Sequence, residues 1–173
     1  MLAIVVAEAL GAPGWLMGAL ALAAGAANTA RLAGYRSRFV GTQPILWSLH
    51  LGYGWVCLGL LLRGLSAFFS AWPAVAAVHA LTAGGIGTMT LAVMSRAALG
   101  HTGRPLRAPR LAVGAYVLVS AAALVRVFVP LLLPSFYLRG MMVAGTLWIA
   151  AFVLFVAVYA PILLRARVDG QPG

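Results

Sequence analysis

The fold is decided by residues 78–106, which read VHALTAGGIGTMTLAVMSRAALGHTGRPL. The first part of this stretch belongs to an apolar run, Ala74–Met94, that is long enough to cross about 30 Å of hydrocarbon as a helix. His79 and three threonines lie inside the run, and polar groups at membrane depth are costly and usually functional. The stretch therefore predicts a membrane-spanning helix that carries part of a functional site.

Similar apolar runs occupy most of the 173 residues. The predicted spans are approximately residues 15–32, 45–62, 72–95, 111–130 and 141–164. The chain is 64% hydrophobic and only 8% charged, a composition outside the range of soluble globular proteins. We therefore expect an all-α membrane protein, a single transmembrane domain built as a bundle of five transmembrane helices.

A short helical stub is expected before the first span. Residues 2–10 read LAIVVAEAL and stop at the turn-forming GAPG of residues 11–14. Nine helical residues rise about 14 Å, roughly half a bilayer. We interpret the stub as the tail of a longer helix, with a short interfacial segment as the alternative. On the first interpretation the chain is the C-terminal half of a larger protein, and its partner would be a missing N-terminal half or another copy.

The charges predict the orientation of the bundle. The chain has 12 basic residues, all arginine, against 2 acidic residues, a net charge of +10. One side of the spans carries Arg31, Arg36, Arg38, Arg96, Arg104, Arg107, Arg110, Arg165 and Arg167, and the other carries Arg63 and Arg139. The positive-inside rule then predicts a cytoplasmic C-terminus. Such clusters favour contact with anionic membrane lipids, and no nucleic acid partner is expected.

The composition excludes several chemistries. Cys57 is the only cysteine, so neither an intrachain disulfide nor a cysteine-based zinc site can form. The only acids, Glu8 and Asp169, cannot supply a catalytic carboxylate pair or an oxygen-rich Mg²⁺ or Ca²⁺ site. The sequence also has no P-loop and no nucleophile-elbow motif.

The third span carries the strongest candidate site. One continuous helical face is expected to hold His79, Thr82, Ala83, Ile86, Gly87, Thr90 and Met94, with Gly84 and Thr88 beside it. Small residues on such a face let either a partner helix or a flat macrocycle come close to the backbone. Neutral imidazole is the usual axial ligand of haem iron and a common ligand of copper. We therefore predict a metal or haem site at His79, with Gly84 and Gly87 permitting close approach, and helix packing as the alternative.

Arg126 lies inside the fourth span, four residues before Pro130. At about 1.5 Å per residue it is roughly 22 Å from Leu111, and His79 is roughly 25 Å from Arg96, so the two side chains share a level in the outer half. A buried Arg126 would pair with a lipid phosphate or a cofactor's propionate, whereas an interfacial one would snorkel. His79 with Arg126 is the constellation we predict to bind a cofactor.

His50 is the second candidate metal ligand. His50, Tyr53, Gly54 and Cys57 fall on one face of the second span, and ligand or redox use competes there with hydrogen bonding to a neighbouring helix. His50 lies only about 9 Å from Pro44 on the cytoplasmic side. His50 and His79 are therefore not expected to face each other across one iron.

Two further features have weaker interpretations. His101 is placed in a cytoplasmic loop, where it and Arg104 would hold a phosphate or propionate, with a solvated loop histidine as the alternative. The fifth span carries aromatic residues and no ligand, and it is expected to pack against lipid and neighbouring helices.

Four motifs together resemble a known family. They are WSLHLGYGW, HALTAGGIGTMTLAVMSRAALGHTGRPL, AYVLVSAAALVRVFVP and the ending RVDGQPG. They closely resemble the C-terminal half of the NnrS family, over about Trp15 to Gly173. The resemblance implies a multi-pass protein of the bacterial inner membrane, associated with haem, copper and the response to nitric oxide and nitrosative stress. The family's histidine-rich N-terminal motif, W-H-x-H-E-M, has no counterpart in this sequence.

The resemblance places His50, His79, His101, Arg104 and Arg126 at recurring polar positions of the family, without assigning individual metal ligands. The leading hypothesis is a membrane protein that binds haem, with copper as a second possible cofactor. Nitric oxide is a possible ligand. Whether the protein is an enzyme is left open. One alternative is a small-solute transporter or channel subunit, against which an unbroken third span argues. Another is a fragment that is inactive without an N-terminal half.

Overall fold

The structure is a computed structural model that describes residues 2–35 and 40–171. These residues form helices, turns and irregular connections, with no strand among them. The helices are α1 (Leu2–Ala9), α2 (Gly14–Gly34), α3 (Pro44–Leu65), α4 (Ala74–His79), α5 (Gly87–His101), α6 (Arg110–Leu132) and α7 (Tyr137–Leu163). A π-helical segment, Ala80–Ile86, joins α4 to α5, and a single 3₁₀ turn, Pro134–Phe136, precedes α7.

Five helical stretches in the described residues are long and apolar enough to cross a membrane. They are Gly14–Gly34, Pro44–Leu65, Ala74–His101, Arg110–Leu132 and Pro134–Leu163. The prediction of an all-α bundle with five spans is thus confirmed, and α1 is the short N-terminal helix. Below, "third span" means α4, the π-helical segment and α5 together.

A proline lies at the start of each of these five spans, and in the fifth span it is Pro134. Pro13, Pro73 and Pro109 immediately precede α2, α4 and α6, and Pro44 is the first residue of α3. A proline at or just before the first helical position costs no intrahelical hydrogen bond, because the first amide groups of a helix have no internal acceptor. The sequence therefore fixes the helix starts more sharply than the helix ends.

The third span ends later than predicted. The helix continues to His101, so the placement of His101 in a loop is wrong. Alanine, leucine and arginine between Ser95 and His101 favour helix, and the Thr102 hydroxyl closes the last turn by donating to the Ala98 carbonyl at 2.7 Å. The part of a membrane helix that extends beyond the hydrocarbon need not be apolar. The apolar run Ala74–Met94 is therefore shorter than the helix.

Each span packs antiparallel against its neighbours in the chain, and glycines let the backbones approach closely. A Cβ built on Gly64 would lie 2.5 Å from Leu22, one on Gly59 would lie 2.5 Å from Leu81, and one on Gly140 would lie 2.5 Å from Val129. Close approach at small residues is the usual packing mode of membrane helices, because lipid provides no hydrophobic drive for association.

The alternating direction of the spans gives the bundle two unlike ends. The described part of the Arg-rich end carries Arg31, Arg96, Arg104, Arg107, Arg110, Arg165 and Arg167, and the opposite end carries Arg63 and Arg139. Arg36 and Arg38, which were assigned to the first of these ends, lie outside the described residues. Between the ends, α7 exposes Ile149, Val153 and Val156, as expected of a surface solvated by lipid.

Candidate functional site

A cavity of about 650 Å³ opens between the third span, α6 and α7. The third span contributes Val78, His79, Thr82, Ala83, Ile86, Gly87 and Thr90; α6 contributes Ala122 and Arg126; and α7 contributes Ala144, Gly145, Trp148 and Phe152. Most of this lining is apolar, and its polar groups are an imidazole, a guanidinium and two hydroxyls. His79, where a metal or haem site is predicted, thus lines a cavity in the bundle.

His79 and Arg126 are the two ionisable side chains that line the cavity. Both are partly buried, and they are close enough to interact electrostatically. The third span and α6 are antiparallel, and they meet at Gly87 and Val119, where a built Gly87 Cβ would lie 3.4 Å from Val119. His79 and Arg126 each lie about two helical turns from this contact in the same direction, so they share one level. Among the described residues neither side chain has a hydrogen-bonding or ion-pairing partner. The constellation therefore offers a guanidinium without a counter-ion beside an imidazole.

The π-helical segment shapes the wall on which His79 lies. Its hydrogen bonds span five residues, which widens the helix over Ala80–Ile86, and such segments are frequent at functional sites. Two adjacent glycines, Gly84 and Gly85, lie within it, and glycine tolerates unusual backbone packing. The third span is therefore continuous, as expected, but it is not a uniform α-helix.

Two of the predicted glycines have different surroundings. Gly87 lines the cavity, and a Cβ there would collide with the Trp148 ring. Gly84 instead lies against α3, where a Cβ would collide with the Trp55 ring. Met94, predicted on the same face as His79, does not line the cavity and is 45% exposed. Gly84 lies five residues after His79, about 140° around a regular helix, and Met94 lies one turn beyond Thr90, the last residue of the third span that lines the cavity.

The α7 wall was missed by sequence reasoning. Trp148 and Phe152 stack at 5.1 Å between ring centroids and line the cavity with Ala144 and Gly145. These four residues share one helical face. The sequence feature that could have indicated the wall is a pair of small residues followed, about one turn later, by the first of two aromatic residues. The fifth span packs against neighbouring helices as expected, with Trp148 against Gly87, and this face also lines the cavity.

His50 lies far from the cavity along the bundle axis. A Cβ on Gly59 would touch Leu81, whereas one on Gly52 would touch Met89. This register puts His50 about eleven residues, roughly 16 Å, from the level of His79. The two imidazoles therefore do not face one metal ion, as the depth argument predicted.

The surroundings of His50 and Tyr53 are polar and aromatic. The His50 Nδ1 atom lies 2.8 Å from the Leu46 carbonyl oxygen, so a proton on Nδ1 leaves Nε2 with a free lone pair. The Tyr53 hydroxyl donates to the Asn28 side-chain oxygen at 2.5 Å, which ties α3 to α2. The Tyr35 ring packs edge-on to His50, with 5.9 Å between centroids. Tyr53 thus has a clear packing role, and the predicted metal-binding role of His50 stays a prediction.

His101 and Arg104 lie at the Arg-rich end rather than in the cavity. The segment after α7 folds back over them: the Arg167 guanidinium donates to the His101 carbonyl oxygen at 2.9 Å, and the Val168 amide donates to the Thr102 carbonyl oxygen at 3.2 Å. The anion beside this turn is the protein's own Asp169 carboxylate, which contacts Gly103 and pairs with Arg167 at 2.6 Å. The geometry therefore shows a helix end capped by the C-terminal segment.

Metal-ligating groups are sparse in this bundle. Over residues 2–35 and 40–171, no three His, Cys, Asp or Glu side chains come together as a group that could hold a metal ion. Cys57, the single cysteine, is buried on α3 and does not line the cavity. Any metal in the cavity would thus be held by His79 and by atoms that this part of the chain does not supply.

Together, the five spans and the cavity define a multi-pass helical membrane protein with a largely apolar cavity between the third span, α6 and α7. A sequence model described as NnrS protein matches residues 1–167, and the chain therefore belongs to the NnrS family. Membership places it among membrane proteins associated with the response to nitric oxide. Comparisons with curated proteins and with solved structures found no match.

Proposed function

We propose that this protein binds haem in the cavity between the third span, α6 and α7, and that it acts in the response to nitric oxide and nitrosative stress through that haem. The observation that carries the proposal is the placement of His79 and Arg126 at one level of an otherwise apolar cavity. A bound haem would supply an iron with affinity for nitric oxide.

The cavity suits a haem in size and in the chemistry of its lining. Its volume of about 650 Å³ lies within the usual range of cofactor sites, which are mostly apolar with a few placed polar groups. The His79 imidazole would bind the haem iron, and the Arg126 guanidinium would bind a propionate. Trp148 and Phe152 offer flat apolar surfaces of the kind that packs against a macrocycle.

A copper site fits the described residues less well. Copper sites in proteins combine several nitrogen or sulfur ligands, whereas His79 is the one such group in the cavity lining. A copper ion would require donors from another polypeptide or from residues outside the described ranges. Haem is therefore the first cofactor to test, and copper the second.

The test is the absorption spectrum of the protein purified after expression with haem supplied. We expect a Soret band that shifts when nitric oxide is added, and that is lost or strongly reduced in His79→Ala. The matched control is His101→Ala, because His101 is exposed and lies at the Arg-rich end, outside the cavity. Absence of the band from a folded wild-type protein would remove the haem proposal, as would equal loss in both variants.

A second function, carriage of a small solute, is favoured by the π-helical segment. Transporters often place substrates at irregular parts of membrane helices, and Ala80–Ile86 borders the cavity. This function predicts solute flux into liposomes that does not depend on haem and is lost in His79→Ala. Flux in haem-free protein, together with an absent Soret band, would favour the carrier over the haem protein.

The proposed membrane location, orientation and partners of the protein are inferred from its charges and its family. We place it in the bacterial inner membrane with the Arg-rich end in the cytoplasm, where guanidinium groups would contact anionic lipid headgroups. Residues at the cavity mouth, Val78 and Ile86, are at least half exposed, so a second polypeptide or another copy could cover them. Mass measurement of the complex in lipid nanodiscs would distinguish a single chain from an assembly.

A further inference from the structure

A second cavity, of about 670 Å³, lies at the Arg-rich end of the bundle. It opens where α5, the start of α3 and the connection between α5 and α6 meet. Arg96 of α5 and Arg107 of the connection line it, and Thr42 and Gln43 line it just before α3. We call it the arginine cavity. It shares no lining residue with the cavity at His79.

The walls of the arginine cavity are anchored on the protein core. Ile45 is 5% exposed and belongs to the core, and Ala108 packs against the same core. The connection between them is constrained, because Pro105 and Pro109 fix their own backbone angles and the Arg107 amide donates to the Pro105 carbonyl oxygen at 2.7 Å. Arg107 is therefore held in place by its backbone and is not carried on a long free loop.

No carboxylate of the chain is placed to neutralise the two guanidinium groups. The full sequence contains two acids. Glu8 lies on α1, next to the start of α2 and thus at the end opposite the arginine clusters, and Asp169 pairs with Arg167 at 2.6 Å. A concave surface lined by charges of one sign concentrates their potential and attracts counter-ions. The counter-charge for Arg96 and Arg107 must therefore come from outside the chain.

The chemistry and the level of the cavity together select a phosphate group. Guanidinium groups donate paired hydrogen bonds to carboxylate and phosphate oxygens. Arg96 lies two residues beyond the apolar run Ala74–Met94, which puts it just outside the hydrocarbon, at the level of lipid headgroups. Basic pockets between membrane helices bind phosphate-bearing headgroups at this level. The uncapped start of α3 adds the positive end of a helix dipole to the two arginine charges.

We propose that the arginine cavity binds a phosphate group between the guanidinium groups of Arg96 and Arg107. A volume of about 670 Å³ exceeds what a bare phosphate fills, and the apolar side chains of Leu46 and Leu106 line the remaining space. The phosphate belongs either to a phospholipid or to a soluble phosphate compound, and the recognition chemistry is the same for both. This site has two defined ligating residues, unlike the diffuse attraction of the whole Arg-rich end to anionic lipid.

Binding to the full chain in an uncharged detergent, at constant ionic strength in excess chloride, tests the site. The probes are inorganic phosphate and short-chain phosphatidylglycerol, each titrated calorimetrically. Arg96→Gln and Arg107→Gln should each weaken binding of the active probe by about tenfold or more, because each removes charge-assisted hydrogen bonds. The matched control is Arg110→Gln, which removes the same charge three residues away from Arg107. Arg110 is exposed and does not line the cavity, so its variant should bind as the parent does.

The two probes distinguish the source of the phosphate. Saturable binding of phosphatidylglycerol that inorganic phosphate does not displace assigns the site to a lipid headgroup, and saturable binding of inorganic phosphate alone assigns it to a soluble compound. His79→Ala should leave either result unchanged, so this proposal and the haem proposal fail separately. Binding of neither probe to folded protein would overturn the phosphate site. Equal losses in Arg96→Gln and Arg110→Gln would overturn it too, since they would show a diffuse charge effect.

Chemical protection tests the same site in the wild-type chain, without any substitution. Arg96, Arg107 and Arg110 are all exposed, so phenylglyoxal should modify each of them in the absence of a probe. A saturating concentration of the probe that binds should protect Arg96 and Arg107 but not Arg110, as read by mass spectrometry of the digested protein. Equal protection of all three arginines, or protection of none, would contradict the proposal.

Discussion

Gly84 and Gly145 show how a missing side chain acts differently at two helical positions. Gly84 is buried, and a Cβ there would collide with the Trp55 ring of α3. Gly145, on α7 at the edge of the cavity, has no atom within 4 Å of a built Cβ. Gly84→Ala should therefore overpack the interface and destabilise the protein by about 1–3 kcal/mol. Gly145→Ala should be neutral or stabilising by up to about 1 kcal/mol, because alanine favours helix.

The comparison is made by thermal or denaturant unfolding of both variants in the same detergent. Because the two substitutions add the same methyl group to a helical glycine, any difference reports on the space around each site. Equal effects of the two substitutions would show that the third span can move away from α3 without cost, which would contradict the close packing described for Gly84.

The residues of the site were predictable to different degrees. The common level of His79 and Arg126 followed from the helical rise alone, because only their distances from the span ends were needed. Trp148 and Phe152 could not be assigned, because the face of α7 that meets the third span is decided by packing among three helices. Sequence position fixes depth in a bundle, whereas the rotation of a helix about its axis depends on its neighbours.

At the scale of the helix, the π-helical segment limited the prediction. The sequence predicted one regular face from His79 to Met94 with Gly84 beside it, whereas the span contains the π-helical segment Ala80–Ile86, Gly84 packs against α3 and Met94 lies outside the cavity. The glycine pair inside the segment was visible in the sequence. Its consequence for helical pitch was not, because helix propensity does not distinguish i+4 from i+5 hydrogen bonding.

The contact between α2 and α3 includes one hydrogen bond that can be tested. The Tyr53 hydroxyl donates to Asn28 across the two helices at 2.5 Å. Tyr53→Phe and Asn28→Ala should each destabilise the protein, and the double variant should reveal a coupling of about 0.6 kcal/mol, up to about 1.7. The matched control pairs Tyr53→Phe with Thr146→Ala on α7, distant residues that should add independently. A coupling near zero for Tyr53 with Asn28 would contradict the bond.

The capped end of α5 gives a prediction for pH. Hydrogen bonds from the Arg167 guanidinium lower the pKa of Asp169 to about 2. Because this pKa is lower than that of an unfolded aspartate, the ion pair stabilises the fold above the unfolded pKa of about 3.9, and its contribution is lost as the pH falls through the folded pKa. The C-terminal segment should therefore stay docked from pH 8 to about pH 5 and come loose between about pH 4 and pH 2.

Spin-label mobility measures this docking. A nitroxide on Gln171→Cys, in a Cys57→Ala background, should be restrained at neutral pH and become mobile in the acidic range. Asp169→Asn should be mobile already at pH 7, since it removes the charge but keeps the size of the side chain. If Asp169→Asn left the label as restrained as in the parent protein, the hydrogen bonds to the His101 and Thr102 carbonyl oxygens would suffice, and the ion pair would have no role.

For the whole molecule, the number of spans and the fold class followed from run length and hydropathy, because lipid leaves a chain few ways to satisfy its backbone. The packing order also follows the chain, as short connections between spans predict. The full lining of the cavity was not predicted. It comes from three helices, and nothing local in the sequence indicates which of their residues converge.

The orientation of the bundle is the remaining prediction, and it rests on the sum of many charges. Seven described arginines lie at the Arg-rich end and two at the opposite end, so the positive-inside rule puts the Arg-rich end in the cytoplasm. Cys57 is buried, which makes the chain convenient for labelling with introduced cysteines. Ser70, between the second and third spans, and Ala166, after α7, are both exposed and lie at opposite ends.

In a Cys57→Ala background, Ser70→Cys should react with a membrane-impermeant maleimide in intact cells whose outer membrane is permeable to the reagent. Ala166→Cys should react only after the inner membrane is opened, because it would then be on the cytoplasmic side. The reverse pattern would invert the bundle, and the His79–Arg126 cavity would then lie nearer the cytoplasm than the periplasm.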